Sequence, residues 1–361
     1  MKKRDIMFSI IRDKKAPERM GVYEHFWPFL LQDHWQKQGL PEGTDTVAHF
    51  DYDLRNIGGW FNTQGKVMAD EIIHEDDETK VVRNGWGAEL RYWKKKSGTP
   101  EHIGFSLSTS ALWKEKYRDN FSAIDTRRFG DLAAMKANYA KHRNDDVFTV
   151  FSNLFIFEMM RASMGDVVMS ESAALEPAWI HDYCSVMTDF MIEHYDYLFR
   201  EVGKPDGMFI YEDLGYTKDA FFSPAMHREL ILPYHKKFFG FLKDHKLPVI
   251  MHTCGNIVKH IPAIIESGVD CLQPMEAKTG MNVVELGQTY AGKLSFMGNI
   301  NIMALETNDR AAIDAEILPK LAGVRKLRIP YVFHSDHSIS YDVKLSTYEY
   351  ALDLFRKNCT Y

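Results

Sequence analysis

The sequence predicts an α/β fold, and three observations lead to this expectation. The second half of the chain alternates short apolar runs with long amphipathic segments, which is typical of successive strand–helix units. The runs are continuously apolar, as in parallel strands that helices cover. No GxGxxG or GxxxxGK[ST] motif follows any run, so an open nucleotide-binding sheet is disfavoured. We therefore expect a TIM-type (β/α)8 barrel with an N-terminal cap of helices and irregular segments.

The strands of this barrel are predicted from the apolar runs themselves. Six runs follow residue 146, and an earlier run supplies a seventh strand. They are VFTVFSN (147–153), GMFIYED (207–213), LPVIMHTCGN (247–256), VDCLQPMEA (269–277), KLSFMGNIN (293–301), IPYVFHSDH (329–337) and, earlier, TVAHFDYD (46–53).

Helix boundaries between these runs are marked by end signals. Ser223 is a good N-cap, and Pro224 follows at the first helical position, where a missing N–H is tolerated. Gly268 marks the end of the helix that carries Ile261 and Ile264 on one face.

The first 140 residues are less regular, with one amphipathic helix predicted near Tyr23–Trp35. We expect residues 1–140 to form the cap and the first barrel elements, and residues 141–361 to form the barrel core, in one domain overall.

Composition excludes several classes of function. The chain of 361 residues has 44 Lys and Arg against 50 Asp and Glu, a net charge of −6, and no basic run. This balance argues against nucleic-acid and membrane-surface binding, and no apolar stretch is long enough to span a membrane. The cysteines are too scattered for a disulfide framework, so we expect a soluble, reduced, cytoplasmic protein. They are Cys184, Cys254, Cys271 and Cys359.

Polar side chains cluster at the ends of the apolar runs. In a parallel barrel the carboxyl ends of the strands form the catalytic face, so these residues are candidate site residues, although strand ends are also where polar loops begin. They are Asp51 and Asp53, Asn153, Tyr211, Glu212 and Asp213, His252 and Cys254, Gln273 and Glu276, Asn299 and Asn301, and His334 to His337.

The tripeptide His252-Thr253-Cys254 is the sharpest local signal. Imidazole and thiolate together suit zinc better than magnesium or calcium. A buried Cys beside a hydrogen-bonded His, with no metal, is also compatible with this tripeptide. Neighbouring strand ends supply further ligands, so one His, one Cys, one carboxylate and a second His could surround a catalytic zinc. The carboxylate would come from Glu212 or Asp213, and the last ligand from His337, His334 or Asp336.

Residues 211–257 and the segments that follow resemble the uroporphyrinogen decarboxylase superfamily. The matching segments are SPAMHRELILPYHKK, HTCGNI, GNIN and HSDHSISYDVKLSTYEYALDLF, in that order, and the resemblance covers residues 145–358 well. It implies a TIM-type barrel. It also implies the zinc motif of the methyltransferase branch, carried by His252 and Cys254, with His337 or its neighbour Asp336 where that branch often has a second Cys.

The decarboxylases of this superfamily grip tetrapyrrole carboxylates with an Arg-rich N-terminal motif. The corresponding stretch here resembles PERMGVYEHFWP, with Arg19 as its one central arginine. Porphyrinogen decarboxylation is therefore not expected.

The resemblance implies a zinc-dependent methyltransferase. Methyl would move between a small methylated substrate, methoxylated and aromatic, and the cobalt of a corrinoid (methylcobalamin). Because no DxHxxG motif occurs in the chain, we expect the corrinoid to be carried by a partner protein. The predicted metal ligands are His252, Cys254, Glu212 and His337. The predicted catalytic residues are Glu212, Asp213 and His337, and the predicted substrate-binding residues are Asp51, Asn153, Tyr211, Asn299 and Asp336.

Two alternatives remain from the sequence. One is a metal-free decarboxylase, a lyase, acting on a smaller acid. The other is a non-catalytic, partner-binding relative on the same barrel, against which the intact His252 and Cys254 argue.

Overall fold

The computed structural model describes residues 1–95 and 100–361, and it confirms the TIM-type barrel. The strands are β1 (Gly21–Val22), β2 (Leu54–Asn56), β3 (Glu71–Glu75), β4 (Thr79–Arg83), β5 (Glu89–Trp93), β6 (Glu101–Gly104), β7 (Phe148–Leu154), β8 (Gly207–Tyr211), β9 (Val249–Thr253), β10 (Cys271–Pro274), β11 (Ser295–Met297) and β12 (Tyr331–Phe333).

Helices alternate with the strands from β7 onward and cover the outside of the barrel. The helices are α1 (Lys3–Ile11), α2 (Thr46–His49), α3 (Ser110–Leu112), α4 (Leu132–His142), α5 (Ile156–Leu175), α6 (Pro177–Glu201), α7 (Pro224–Leu230), α8 (Leu232–Asp244), α9 (Ile261–Ser267), α10 (Val283–Thr289), α11 (Ile302–Glu306), α12 (Arg310–Leu327) and α13 (Leu345–Asn358).

Eight of the strands form one parallel sheet in the order β1-β12-β11-β10-β9-β8-β7-β2. The sheet curls until its two edges meet, where the Asp53 N–H donates to the Val22 carbonyl at 2.9 Å. All the strand carboxyl ends therefore lie at one mouth, which is where active sites of such barrels are built.

The six strands predicted after residue 146 are confirmed; β7 is as long as its apolar run, and the other five are shorter than theirs. The predicted start of α7 is also confirmed, because the Ser223 hydroxyl accepts from the Met226 N–H and Pro224 begins the helix. Gly268 ends α9 in the left-handed conformation, as predicted.

The strand predicted at residues 46–53 is wrong. Thr46–His49 form the short helix α2, which Asp45 caps by accepting from the Val47 N–H, and the strand begins later, at Leu54. The local capping interaction outweighs the strand propensity of this segment.

The helix predicted near Tyr23–Trp35 is also displaced. Gly21–Val22 pair with β12 as a barrel strand, and the helical turns cover Leu30–Trp35 and Gln36–Gln38.

A four-stranded antiparallel sheet, β3-β4-β5-β6, was not predicted from the sequence. It belongs to the segment between β2 and α4, which begins at the carboxyl end of β2 and so on the same side as the barrel mouth. Charged residues interrupt each of its strands, which hides them in an apolar-run search.

Large apolar side chains fill the space between the barrel and its helices, among them Phe148, Phe151, Phe155 and Tyr195. Among the described residues, no helix combines the length and the apolar character that crossing a membrane requires.

Candidate metal centre at the barrel mouth

The structure brings Asp213, His252 and Cys254 together at the barrel mouth. One ligand atom from each lies within 4.8 Å of the others. The Nε2 atom of His252 is 3.3 Å from Asp213 Oδ1 and 3.3 Å from Cys254 Sγ. This group contains a nitrogen, a sulfur and an oxygen donor, the ligand types of zinc sites.

Strand geometry explains why these three side chains converge. His252 lies near the end of β9 and Cys254 just beyond it, and residues two apart along a strand point to the same side. Asp213 follows the neighbouring strand β8, and its Oδ1 also accepts from the Cys254 backbone N–H at 2.9 Å.

Gly255 completes the loop that presents Cys254. Its φ is +80°, and a Cβ there would stand 2.4 Å from the backbone nitrogen of Tyr216. Only glycine combines that conformation with that close approach.

Gln273, at the end of β10, orients the His252 ring. Its amide oxygen accepts a short hydrogen bond from His252 Nδ1. Because Nδ1 donates to Gln273, Nε2 is the ring nitrogen that faces Asp213 and Cys254, and an ion bound there would replace the proton on Nε2.

The electrostatics of the group favour a positive charge at its centre. Burial opposes ionisation of Asp213, but the neighbouring His252 lowers the pKa of its carboxyl to about 2. Burial likewise disfavours a charged His252, yet Cys254 and Asp213 raise its pKa well above the ordinary value. Burial raises the pKa of the Cys254 thiol to about 11.

Glu212 is not brought to this group, although the sequence placed it among the ligands. Its buried carboxylate accepts from the backbone N–H groups of Phe157 and Glu158 at 3.0–3.1 Å. His235 Nε2 lies 2.6 Å from its Oε1. Glu212 therefore points into the helix layer and caps the start of α5, while Asp213 faces the mouth.

His337 is exposed and does not belong to the group formed by Asp213, His252 and Cys254. Asp336 is buried, and its two oxygens accept from the Ala277 and Ile302 backbone N–H groups at 2.9 and 2.8 Å. Its carboxylate thus holds neighbouring loops together.

Of the predicted substrate-binding residues, Tyr211 lies beside the metal group, with its ring centroid 5.1 Å from that of His252. Asn153 is buried beside Phe61, and Asn299 hydrogen-bonds the Met275 and Met281 carbonyls.

Asp51 lies elsewhere. It precedes β2 instead of following it, so it is at the opposite end of the barrel, where it pairs with Lys3. The misplaced strand at residues 46–53 is the cause of this error.

A cavity of about 480 Å³ opens above Asp213 and His252. Its walls are largely aromatic, and among the described residues no Lys or Arg lines it. The lining residues are His25, Phe26, Trp27, Pro28, Trp60, Leu154, Glu158, Tyr211, Asp213, His252 and Ser338. A larger depression of about 680 Å³, between Gly65 and Arg128, is not lined by Asp213, His252 or Cys254.

Sequence reasoning missed several residues of this mouth. Trp60 belongs to the segment before the antiparallel sheet, and Glu158 to the first turn of α5. Glu24 and His25 follow β1, whose two residues are too few to show a strand pattern. Gln273 was visible as a polar residue at a strand end, but its role depends on a contact between strands.

Comparison with known proteins places this chain in a family. The family model described as "Uroporphyrinogen decarboxylase (URO-D)" matches residues 156–357, more than half of the chain, and the protein belongs to that family.

Two proteins from Methanosarcina mazei are similar to this chain. One is a "Methylated-thiol--coenzyme M methyltransferase", 29% identical over 86 residues, which are 24% of this chain and 22% of that protein. The match thus spans about a fifth of that curated relative. The other is a solved structure titled "methyltransferase from Methanosarcina mazei", with a TM-score of 0.64, 13% identity and 99% of both chains covered. The latter likeness shows a shared fold over the full length.

Proposed function

We propose that this protein is a zinc-dependent methyltransferase that moves a methyl group between a small methylated substrate and the cobalt of a corrinoid. The observation that carries the proposal is the convergence of Asp213, His252 and Cys254 at the mouth of a barrel of this family. The two methyltransferase relatives support the reaction class.

The donor set fits zinc. A thiolate, an imidazole and a carboxylate are zinc ligands, and three protein ligands leave a position open for substrate. Cys254, His252 and Asp213 would hold the ion, and Gln273 would fix the tautomer of His252. His337 would have to move inward to serve as a fourth ligand. Zinc, when bound, stabilises the anionic form of the oxygen or sulfur atom that gains or loses the methyl group.

The cavity walls support an aromatic, uncharged substrate such as a methoxylated arene. Trp60 and Tyr211 have ring centroids 6.2 Å apart and form one wall, and Trp27 belongs to the lining. Aromatic surfaces bind flat apolar molecules well. A polycarboxylate would meet carboxylates here instead of cations. Arg19 cannot bind a substrate carboxylate in this cavity, because it is paired with Asp53 at the other end of the barrel.

Glu158 gives the cavity a group that can hold a proton. Burial raises the pKa of its carboxyl to about 7, and its Oε2 lies 3.0 Å from Arg161 Nη1. At neutral pH this carboxyl exchanges a proton readily, which suits a side chain beside an oxygen that becomes anionic.

The corrinoid is assigned to a separate protein. The chain has no DxHxxG motif, and the corrinoid protein would dock over the mouth where the cavity opens. The substrate would then lie between the metal group and the incoming cobalt.

The test is a methyl-transfer assay with purified, zinc-loaded protein. A methoxylated phenol and a methylated thiol are supplied with reduced cob(I)alamin, and methylcobalamin formation is followed optically. We expect turnover with the methoxylated phenol only when the corrinoid is present. Turnover without a corrinoid, or carbon dioxide release from an added acid, would replace this assignment with a lyase.

A further inference from the structure

A second group of ligand atoms lies at the same mouth. Glu24 and His25 follow β1, and His334 follows β12, the strand that pairs with β1. One ligand atom from each of these residues lies within 4.8 Å of the others. None of them belongs to the first group, and His25 lines the same cavity as His252.

The contact between Glu24 and His334 joins two hydrogen-bond acceptors. His334 Nδ1 lies 2.7 Å from the Ser335 carbonyl oxygen, which can only accept, so Nδ1 carries the proton and Nε2 of the neutral ring carries a lone pair. The Nε2 atom of His334 lies 3.1 Å from Glu24 Oε1. No hydrogen-bond donor contacts Nε2 among the described residues.

The rest of the Glu24 carboxylate is already bonded. Its oxygens accept from the backbone N–H groups of His25 and Ser335 at 3.1 and 3.0 Å, which fixes the direction of the side chain. The Nδ1 atom of His25 is buried and lacks a partner among the described residues.

Burying these polar atoms without a hydrogen-bond partner costs free energy. His334 is 1% exposed and Glu24 is 3% exposed, so water cannot stand in for a missing partner. Two facing acceptors at this distance need a positive charge between them, either a proton or a metal cation.

We propose that Glu24, His25 and His334 form a second metal site, which takes a divalent first-row transition metal. Two imidazoles and one carboxylate with open positions are a ligand set for such ions. The site has no thiolate, so its ligands are harder than those of the first group, and its open positions face the shared cavity through His25.

Metal counting on the full chain tests the proposal. The protein is stripped with a chelator, reloaded with Co²⁺ or Zn²⁺, dialysed, and analysed for metal per chain. We expect about two ions in the unaltered protein and about one in His25→Ala and in His334→Ala. Cys254→Ala should also retain about one ion, and with Co²⁺ it should lose the sulfur-to-cobalt absorption that the histidine variants keep.

His181→Ala is the matched control, because His181 is half-buried like His25 and lies outside both groups. It should retain the full metal content. Thermal unfolding checks each variant, and if His334→Ala does not fold, His25→Ala at the cavity wall decides the question.

The outcomes separate this proposal from the proposed function. One ion that Cys254→Ala loses and His25→Ala keeps would overturn the second site, leave the zinc assignment intact, and mean that Glu24 and His334 share a proton. One ion that His25→Ala loses and Cys254→Ala keeps would support the second site and contradict the zinc assignment. Folded protein that binds no ion would overturn both.

Discussion

Carboxylates lie at both ends of the barrel, but they meet different partners there. At the amino end, aspartates stand directly before strands and pair with cations. Asp53, before β2, meets Arg19 through two bonds of 2.7 and 2.8 Å. Asp270, before β10, meets Lys14 at 2.6 Å and also Lys243.

At the carboxyl end, Asp213 and Glu24 face imidazole and thiol groups instead. A carboxylate matched by an Arg or Lys of the same chain needs nothing more, whereas His, Cys and Asp donors that converge without such a cation are poised to receive one. The amino end therefore stabilises the barrel, and the carboxyl end carries its chemistry.

The largest effect expected at the carboxyl end is that of Cys254→Ala. We expect this variant to lose the zinc held by Asp213, His252 and Cys254 and to transfer methyl at least about 100-fold more slowly, because a ligand on a preformed barrel is removed. The metal-free variant should unfold within about 1 kcal/mol of metal-free wild type in a denaturant titration. Failure of the variant to fold would mean that Cys254 is a core residue. It would also contradict the division between a stabilising amino end and a functional carboxyl end.

The adjacent carboxylates Glu212 and Asp213, directly after β8, give a matched pair of variants. Asp213→Asn should lose metal affinity because it removes a ligand. Glu212→Gln should keep about one equivalent at the first site, since its amide oxygen can still accept from the Phe157 and Glu158 N–H groups that Oε2 binds at the start of α5. Metal analysis of both proteins checks this. The reverse result would restore Glu212 as the ligand.

At the amino end, Asp53→Ala should destabilise the protein by about 3 kcal/mol, because Arg19 and the Val22 N–H lose a buried partner. Its metal content should be unchanged. Asp51→Ala is the control: this exposed carboxylate pairs with Lys3, and its loss should cost about 0–1 kcal/mol. Loss of zinc from folded Asp53→Ala would show that the two ends are not separable.

Variants of Gln273 test whether the orientation of His252 contributes to zinc binding. Gln273→Leu removes the acceptor that orients His252, so zinc affinity should fall about 10- to 100-fold. Gln273→Glu retains an acceptor and should recover most of that affinity. Competition with a chromogenic chelator measures both, and equal affinities for all three proteins would mean that the contact has no role in binding.

The smallest effect concerns pH. Burial raises the pKa of Glu212 to about 8 and lowers that of His235 to about 3. A carboxyl whose folded-state pKa is raised binds its proton more tightly when folded, so its stabilising contribution is lost as the pH rises. His235 is present in both wild type and Glu212→Gln, so its own contribution cancels in their comparison. Between pH 6.5 and 8, wild type should therefore lose about 1.5 kcal/mol relative to Glu212→Gln in urea titrations. A constant difference would mean that Glu212 is ionised throughout.

The sequence was sufficient for the barrel from β7 onward, because each parallel strand is a continuous apolar run and each helix has its own end signals. It was also sufficient to single out His252 and Cys254, because residues two apart at a strand end share a face. Both features are local.

The choice between Glu212 and Asp213 was not local. Both faces of β8 are buried, so hydrophobicity does not reveal which side chain turns to the mouth. Glu24 and His334 are 310 residues apart, and their contact depends on the pairing of β1 with β12. Asp51 was misplaced because acidic residues at the two ends of a strand look alike in sequence.

Anomalous diffraction from crystals of the zinc-loaded protein, recorded on both sides of the zinc absorption edge, tests the central claim most directly. We predict a peak within about 2.0–2.3 Å of Cys254 Sγ, His252 Nε2 and an Asp213 oxygen, and its absence in Cys254→Ala. Crystals of active, zinc-loaded protein with no peak among these three atoms would contradict the account.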